Sequence, residues 1–382
     1  MASDQRIAVL GPLPPTRGGI ARHTALTAAA LGERASVKVW SYQRQYPKFL
    51  YPGKSEVSAD LPRHNDLDER RIVDGINPLT WVRTAKEISA WEPHLLVFPV
   101  WTFFQAPAMG WMARSLRKRG CETCAIVHNV FDHAQAFWKA RLSLWSLGQA
   151  DRYVTHGSDL ADQIRSHFPG ARVDVFPIPL FDDFPPAMHV LKREYALELL
   201  FYGLVRPYKG LDVALHALAL SGRKDIRLTV AGEFWQGLAD TRALIETLGI
   251  SDQVNLIPEY ISDADTAELF DRSDAVVLPY RSVTGSGIVA TAFHYQRPVI
   301  VSDHPALREL VEQFDAGWIF PSEQPQALAD ILKSLDREAT ERAGINAKSS
   351  AAFLTWHNYA AKVLGGDFGD GPMSAAETEA VR

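Results

Sequence analysis

Short apolar runs recur along the chain, separated by stretches in which apolar residues return every three or four positions. This alternation of strand and helix builds a parallel sheet covered by helices. The strand-like runs of the first half fall at 7–10, 37–40, 95–100, 123–127, 153–155 and 173–176, and the Ala-rich segment 20–31 reads as a helix. Residues 181–187, with Pro185 and Pro186 among them, interrupt the alternation, and a fresh strand-turn-helix begins at Leu199. Further strand-like runs follow at 199–202, 228–231, 254–257, 275–278 and 299–301. The pattern predicts an α/β chain of two doubly wound, Rossmann-like domains, residues 1–183 and 184–350, with a cleft between them. A helix is expected at 351–364, and the Gly-, Asp-, Ala- and Glu-rich tail 365–382 is predicted to be disordered.

Composition narrows the function. A chain of 382 residues exceeds one ordinary core and suits two, and 47% hydrophobic against 22% charged residues is a globular balance. The net charge of -5 argues against nucleic acid as a partner, so any anion must be held locally. Cys121 and Cys124 form a lone C-x-x-C without the second pair a structural zinc site needs; packing accounts for them, and a redox pair is the alternative. No stretch approaches the length of a membrane span and no signal-peptide pattern opens the chain, which predicts a cytoplasmic protein.

The first strand ends at Gly11 and leads through Arg17 to Gly18 and Gly19, after which a helix begins. Free backbone N–H groups at such a place form an anion site, unless the glycines serve only a tight turn. The spacing is not the G-x-G-x-x-G of dinucleotide folds. The second domain opens with a strand, then a loop carrying Arg206 and Lys209, then an amphipathic helix. Two cations past a strand's carboxyl end can grip a diphosphate; the alternative is a pair of solvated loop cations. The long polar and aromatic segment 42–66, with Arg44, Tyr46, Lys48, Phe49, Tyr51 and Lys54, is a candidate acceptor loop.

Gly203, Arg206 and Lys209-Gly210 ahead of an apolar helix resemble the diphosphate signature of glycosyltransferase family 4. The likeness continues at Gly18-Gly19, His128-Asn129-Val130, Ala231-Gly232-Glu233, Asp274 to Tyr280, and from Ser286-Gly287 to Pro298-Val299-Ile300. The resemblance implies a GT-B fold of two facing domains, with the 351–364 helix packing back on the first, and retaining, metal-independent transfer from a nucleotide-sugar to a hydroxyl. It implies no cofactor beyond that co-substrate. Arg206 and Lys209 would bind the diphosphate, Tyr260 and Ile261 would lie near the base, and Glu233 would meet the donor or serve as a cap. His128 would stand near the transferred sugar, with a core histidine satisfied by backbone as the alternative and Asp132 and His133 as lesser candidates. Arg17, Tyr46, Trp101 and Asn129 are assigned to the acceptor side.

One departure stands out. Many members of that family carry two glutamates whose positions here fall at Val283 and Thr291. The local sequence resembles a branch with Thr-x-Ser-Gly, in which Thr284, Ser286 and the Gly285 and Gly287 amides would contact phosphate or sugar instead. Asp-x-Asp at Asp66 and Asp68 reads as part of a charged, solvated run ending in Arg71, and the pair Asp263 and Asp265 as a helix start, so neither is taken as a metal site. The aromatic stretch 101–112, the cations Arg114, Arg117, Lys118 and Arg119, and Trp138, Lys139, Arg141 and Trp145 suit either an anionic membrane surface, and with it a lipid-linked acceptor, or a buried helix with a basic end. Rival readings are a nucleotide-sugar epimerase of the same fold and a non-catalytic nucleotide-sugar-binding partner.

Overall fold

The computed structural model describes residues 5–46, 66–131, 137–189 and 192–366. Lys48, Phe49, Tyr51, Lys54, Asp132, His133 and nearly all of the tail lie outside the described residues. The chain divides into two compact units, one made of Met1–Pro177 with Trp356–Gly369 and the other of Ile178–Thr355. The divisions thus fall at Pro177 and Thr355, each a few residues from the proline-rich break and the last-helix start read from sequence.

The first unit holds a parallel sheet of β1 (Arg6–Leu10), β2 (Ser36–Arg44), β3 (Glu69–Asp74), β4 (Leu95–Val100), β5 (Glu122–Val127), β6 (Arg152–Thr155) and β7 (Arg172–Val175), in the order β3-β2-β1-β4-β5-β6-β7. Ile7 pairs with Val37 on one side and Leu95 on the other. Every residue of β4 is buried, because a parallel sheet with helices on both faces has no wet side. Its helices are α1 (Gly19–Gly32), α2 (Pro78–Ala90), α3 (Ala106–Arg117), α4 (Phe137–Leu147) and α5 (Ser158–His167). The Asn77 side chain starts α2 by accepting from the Leu79 amide at 3.1 Å, with Pro78 at the first helical position, where no N–H is needed. The last helix, α13 (Trp356–Val363), also belongs to this unit. Buried Arg152 holds it, donating to the carbonyls of Lys362 and Val363 at the helix C-terminus, where a cation is favoured, while pairing with Glu122 at 3.0 Å.

The second unit repeats the plan with β8 (Leu197–Tyr202), β9 (Ile226–Ala231), β10 (Val254–Ile257), β11 (Ala275–Leu278), β12 (Val299–Ser302) and β13 (Gly317–Phe320), ordered β10-β9-β8-β11-β12-β13. The helices α6 (Leu211–Ser221), α7 (Leu238–Thr247), α8 (Asp263–Arg272), α9 (Gly287–His294), α10 (Pro305–Phe314), α11 (Pro325–Ser334) and α12 (Arg337–Ser349) accompany it. Its core gathers Leu199, Phe201, Leu215, Leu218, Val230, Val277 and Ile300. Full burial of a side chain such as Phe201 stabilises by about 1.5–3 kcal/mol.

Two strands were not expected. Glu69 and Arg71 belong to β3 rather than to a solvated run, and β13 had no forerunner in the pattern. Both are edge strands; an edge lets β3 keep charges that a central strand does not tolerate, and β13 is a run of only three apolar residues after Gly317.

Candidate active site

In each sheet the strand order reverses direction beside its first strand, between β1 and β4 and between β8 and β11. Ligands of doubly wound sheets bind outside the carboxyl ends of the strands at such switch points. In the second unit the loops that leave β8 and β11 carry Arg206, Lys209, Tyr280 and Ser286.

Glycines let these loops close on one another. Gly203 has φ 91°, and a Cβ on Gly232 would stand 2.1 Å from the Gly203 carbonyl oxygen. Gly210, at φ 66°, would drive a Cβ to 1.9 Å from the Pro279 carbonyl oxygen. A single 3-10 turn, Pro207–Lys209, is thereby pressed against the end of β11. Lys209 is only 7% exposed, and its ammonium lies 5.4 Å from the Tyr280 ring centroid and beside the Cα of Gly203. Among the described residues no hydrogen bond or ion pair satisfies it. Burial, and secondarily the charge of Arg206, lowers the Lys209 pKa from 10.5 to about 7. The Arg206 guanidinium stacks 4.0 Å above the Trp235 ring, which holds its planar fork in place.

Sequence reasoning missed the residues that fix this turn. Arg281 donates to the Pro207 carbonyl at 2.7 Å, grips Asp212 at 2.6 and 3.0 Å, and reaches Glu323 at 3.0 Å. Its own amide donates to the Tyr208 carbonyl at 2.7 Å. The Tyr280 carbonyl accepts from Ser302 at 2.6 Å, His304 at 2.9 Å and Ser322 at 3.1 Å. Burial pushes the Tyr280 phenol far above its usual value, against a small opposing effect of the Ser286 hydroxyl. Tyr280 closes the family-like stretch Asp274 to Tyr280, but no motif spacing marks Arg281, Ser302, His304, Ser322 or Glu323; only the strand order brings them together.

Ser286 is buried at the N-cap of α9 but makes no side-chain cap bond, and a Cβ on Gly287 would meet the Phe181 ring at 3.0 Å. A Cβ on Gly203 would lie 3.1 Å from Ile288 and 3.2 Å from the Lys209 ammonium, so the α9 N-terminus and Lys209 meet at Gly203. Thr291 donates to the Gly287 carbonyl at 2.9 Å, inside the helix, and Val283 and Thr284 are partly buried ahead of it. Glu233 is partly buried and its carbonyl accepts from the Val205 amide at 2.9 Å; Tyr260 is partly buried and Ile261 is buried. Asp263 and Asp265 occupy the first turn of α8, where Ser262 accepts from the Asp265 amide at 3.1 Å.

In the first unit Gly18 takes φ 114° and Gly19 opens α1, both exposed beside partly buried Arg17. A Cβ on either glycine would meet nothing within 4 Å, so the space before the Gly19 and Ile20 amides is open. Four residues into α1 stands His23, which sequence reasoning did not single out. The His128 amide donates to the Val100 carbonyl at 2.8 Å and that of Asn129 to the same oxygen at 3.3 Å. The Trp101 indole donates to the Tyr46 hydroxyl at 3.2 Å, which joins two acceptor-side candidates. The His128 imidazole is not a lone core histidine, since its ring centroid lies 4.7 Å from that of His23 and 4.8 Å from that of His156. Burial holds all three pKa values below the usual 6.5, that of His156 at about 4.

The cysteines are free and buried, and burial raises Cys121 to about 12 and Cys124 to about 11, which leaves both as unreactive thiols. In the aromatic stretch Met109 and Met112 face the core, and Arg117 pairs with Asp151 at 2.6 Å. Phe137 and Trp138 of α4, by contrast, are 77% and 59% exposed. Lys139 stands 4.5 Å from the Phe103 ring centroid and Arg141 5.7 Å from that of Phe137. No helix among the described residues is long and apolar enough to cross a membrane.

Residues 189–350 match the family model described as glycosyl transferases group 1. A GDP-mannose:glycolipid 4-beta-D-mannosyltransferase of Xanthomonas campestris is 24% identical over 233 residues, which is 60% of this chain and 64% of that enzyme. A D-inositol 3-phosphate glycosyltransferase of Frankia alni is 32% identical over 178 residues, 44% of each chain. Each alignment thus spans less than two thirds of the relative. Among solved structures, sucrose-phosphate synthase of Thermosynechococcus elongatus superposes with a TM-score of 0.71 at 16% identity, over 94% of this chain and 98% of that one. HepE of Anabaena, solved in complex with UDP, gives 0.69 at 16% identity over 94% and 100%. The fold is α/β of the GT-B class, built from two Rossmann-like units.

Proposed function

We propose that the chain is a glycosyltransferase that moves a hexose from a nucleoside-diphosphate sugar to a hydroxyl of a glycolipid or polysaccharide precursor. The observation that carries this reading is Lys209, a buried amine without a counter-ion among the described residues, beside Arg206 at the switch point of the second sheet. The family match supports it, since 189–350 takes in the loop after β8, the Arg281 brace and the α9 N-terminus.

As the sugar–phosphate bond breaks, negative charge grows on the departing diphosphate. Arg206 supplies a planar pair of donors and Lys209 a point charge, in a setting with little water to screen them. These two cations take the part that a metal ion plays in other transferases, and no cofactor is required. The N-terminal amides of α9 add donors next to Lys209, and Thr284 and Ser286 make contacts in lieu of the family's glutamates, whose positions fall at Val283 and Thr291. Glu233, Tyr260 and Ile261 complete the donor side. On the first unit, the amides at Gly18 and Gly19 would serve the donor phosphate, Arg17, Tyr46, Trp101 and Asn129 the acceptor, and His128 the orientation of the reacting sugar. The exposed aromatics and cations of α4 favour a peripheral contact with the inner face of a membrane and so a lipid-linked acceptor.

Retention follows from the family resemblance: the acceptor attacks on the leaving-group face and a departing phosphate oxygen takes its proton. Two observations favour inversion as a second reading. Neither glutamate is present, and the name of the Xanthomonas relative specifies a β-mannosyl product, which from an α-linked donor forms with inversion. The anomeric configuration of the product, read by NMR, separates them.

The experiment is a thermal-shift screen against UDP, GDP, ADP and dTDP, with and without magnesium, followed by transfer assays that begin with GDP-mannose. One nucleotide should stabilise the protein without metal, and Arg206→Ala with Lys209→Ala should abolish the effect. No stabilisation of a folded sample by any of the four would overturn the reading.

A further inference from the structure

Three imidazoles of the first unit converge on one place. His23 comes from α1, His128 from the end of β5 and His156 from the end of β6, and one nitrogen of each lies within 4.8 Å of the others. Their ring centroids are 4.7, 5.1 and 4.8 Å apart. A tetrahedral zinc ion bound to imidazole at about 2.0–2.1 Å keeps each ring centroid roughly 3.2 Å from the metal, and hence the centroids about 5 Å from one another. The triangle already has that size. Coordination would bring the nitrogens, which lie within 4.8 Å of one another, to the roughly 3.4 Å of a tetrahedral edge.

The outer partners are also in place. His156 Nδ1 lies 3.1 Å from the Phe176 carbonyl oxygen. A carbonyl can only accept, so Nδ1 carries the hydrogen and Nε2 keeps its lone pair, as in metal-ligating histidines oriented by a backbone oxygen. That Nε2 is buried and has no hydrogen-bond partner among the described residues. His23 Nδ1 lies 3.3 Å from the Thr27 hydroxyl, which can accept its hydrogen as well as donate, and its buried Nε2 has no hydrogen-bond partner among the described residues. His23 and His156 are 2% and 4% exposed, so each idle nitrogen costs about 1–3 kcal/mol unless something occupies it. Trp356 and Tyr359 of α13 stand 5.0 and 5.2 Å from His23, centroid to centroid, and wall one side. His128 is partly exposed, which gives an ion a route in and leaves a fourth position for water.

We propose that His23, His128 and His156 bind one divalent transition-metal ion of the zinc class. Three neutral imidazoles suit zinc, nickel or copper and not magnesium or calcium, which need oxygen ligands. The inference does not depend on the transferase reading. A loaded site would tie α1 to the ends of β5 and β6 and would draw the His128 imidazole to the metal, so that metal occupancy and a sugar contact through the same nitrogen exclude each other.

The test uses the untagged full chain, stripped with a chelator and titrated with Zn2+ against a chromophoric competitor, and with Co2+ followed by its visible absorption. One equivalent should bind, Mg2+ in excess should not displace it, and His156→Phe should weaken binding at least about tenfold. The zinc K-edge spectrum of the loaded wild-type protein, which needs no variant to fold, should show three imidazole scatterers. Absence of stoichiometric binding, undiminished affinity in folded His156→Phe, or a coordination shell without three imidazoles would each overturn the proposal.

Discussion

Raising the pH above 7 should weaken donor binding by deprotonating Lys209, and the proton count can be worked out beforehand. With a pKa of about 7 in the free protein, the amine at pH 8 carries about 0.1 of a proton. A diphosphate brought against it supplies the missing counter-charge and returns the pKa toward its ordinary 10.5, so the bound state is fully protonated. Binding at pH 8 should therefore take up about 0.9 of a proton, and the dissociation constant should rise about 50-fold between pH 7 and pH 9. The terminal phosphate of a nucleoside diphosphate is already ionised across that range and contributes little. Isothermal titration calorimetry in buffers of different ionisation enthalpy reads the number directly. The stability effect has a definite sign: the native pKa lies below the unfolded one, so the unfolded chain holds more protons between about 7 and 10.5, and native stability rises with pH through that window. Lys209→Met should accordingly be more stable than wild type at pH 7, by at most on the order of 4 kcal/mol, while losing the proton uptake. Tight binding at pH 8 with uptake below about 0.3 of a proton, or uptake unchanged in Lys209→Met, would refute the reasoning.

Three further outcomes are expected. Arg281→Ala removes the brace on the Pro207–Lys209 turn; because the Asp212 pair is half exposed, stability should fall by only about 1 kcal/mol while the donor KM rises about tenfold, and a thermal melt with a donor titration checks the split. Gly19→Ala adds a methyl that meets nothing within 4 Å, so the melting temperature should hold within the effect of about 0.5 kcal/mol while turnover drops about tenfold; equal loss of both would remove the glycine amides from the site. Phe137→Ser with Trp138→Ser should reduce binding to anionic vesicles about a hundredfold in co-sedimentation, from the loss of about 3 kcal/mol of buried aromatic surface, and unaltered binding would dismiss α4 as the membrane contact.

What was legible in the sequence follows from the physics of a covered parallel sheet. Central strands such as β4 and β8 must be apolar on both faces, so they stand out as runs, whereas β3 at an edge could keep Glu69 and Arg71 and escaped notice; β13 is a run of only three apolar residues, Trp318 to Phe320, after Gly317. Arg206 and Lys209 were readable as cations after a strand, but the burial that gives Lys209 its chemistry comes from Gly203, Gly210 and the end of β11, which meet only in three dimensions. The same limit hid Arg281 and the histidine cluster. His23, His128 and His156 sit on three separate elements whose adjacency is set by strand order, and no spacing rule links them.

The return of α13 to the first unit also bears on how the polypeptide matures. A ribosome delivers residues in order, so Ile178–Thr355 is complete and able to fold while Trp356–Val363 is still inside the exit tunnel. Until then Arg152 has no helix end to hold, and the ring of His23 lacks the two aromatics that wall it. The half of the molecule translated first is therefore the half finished last, and a chain truncated after Thr355 should present an intact second unit beside an N-terminal one whose α1 exchanges its amides faster than in the whole protein.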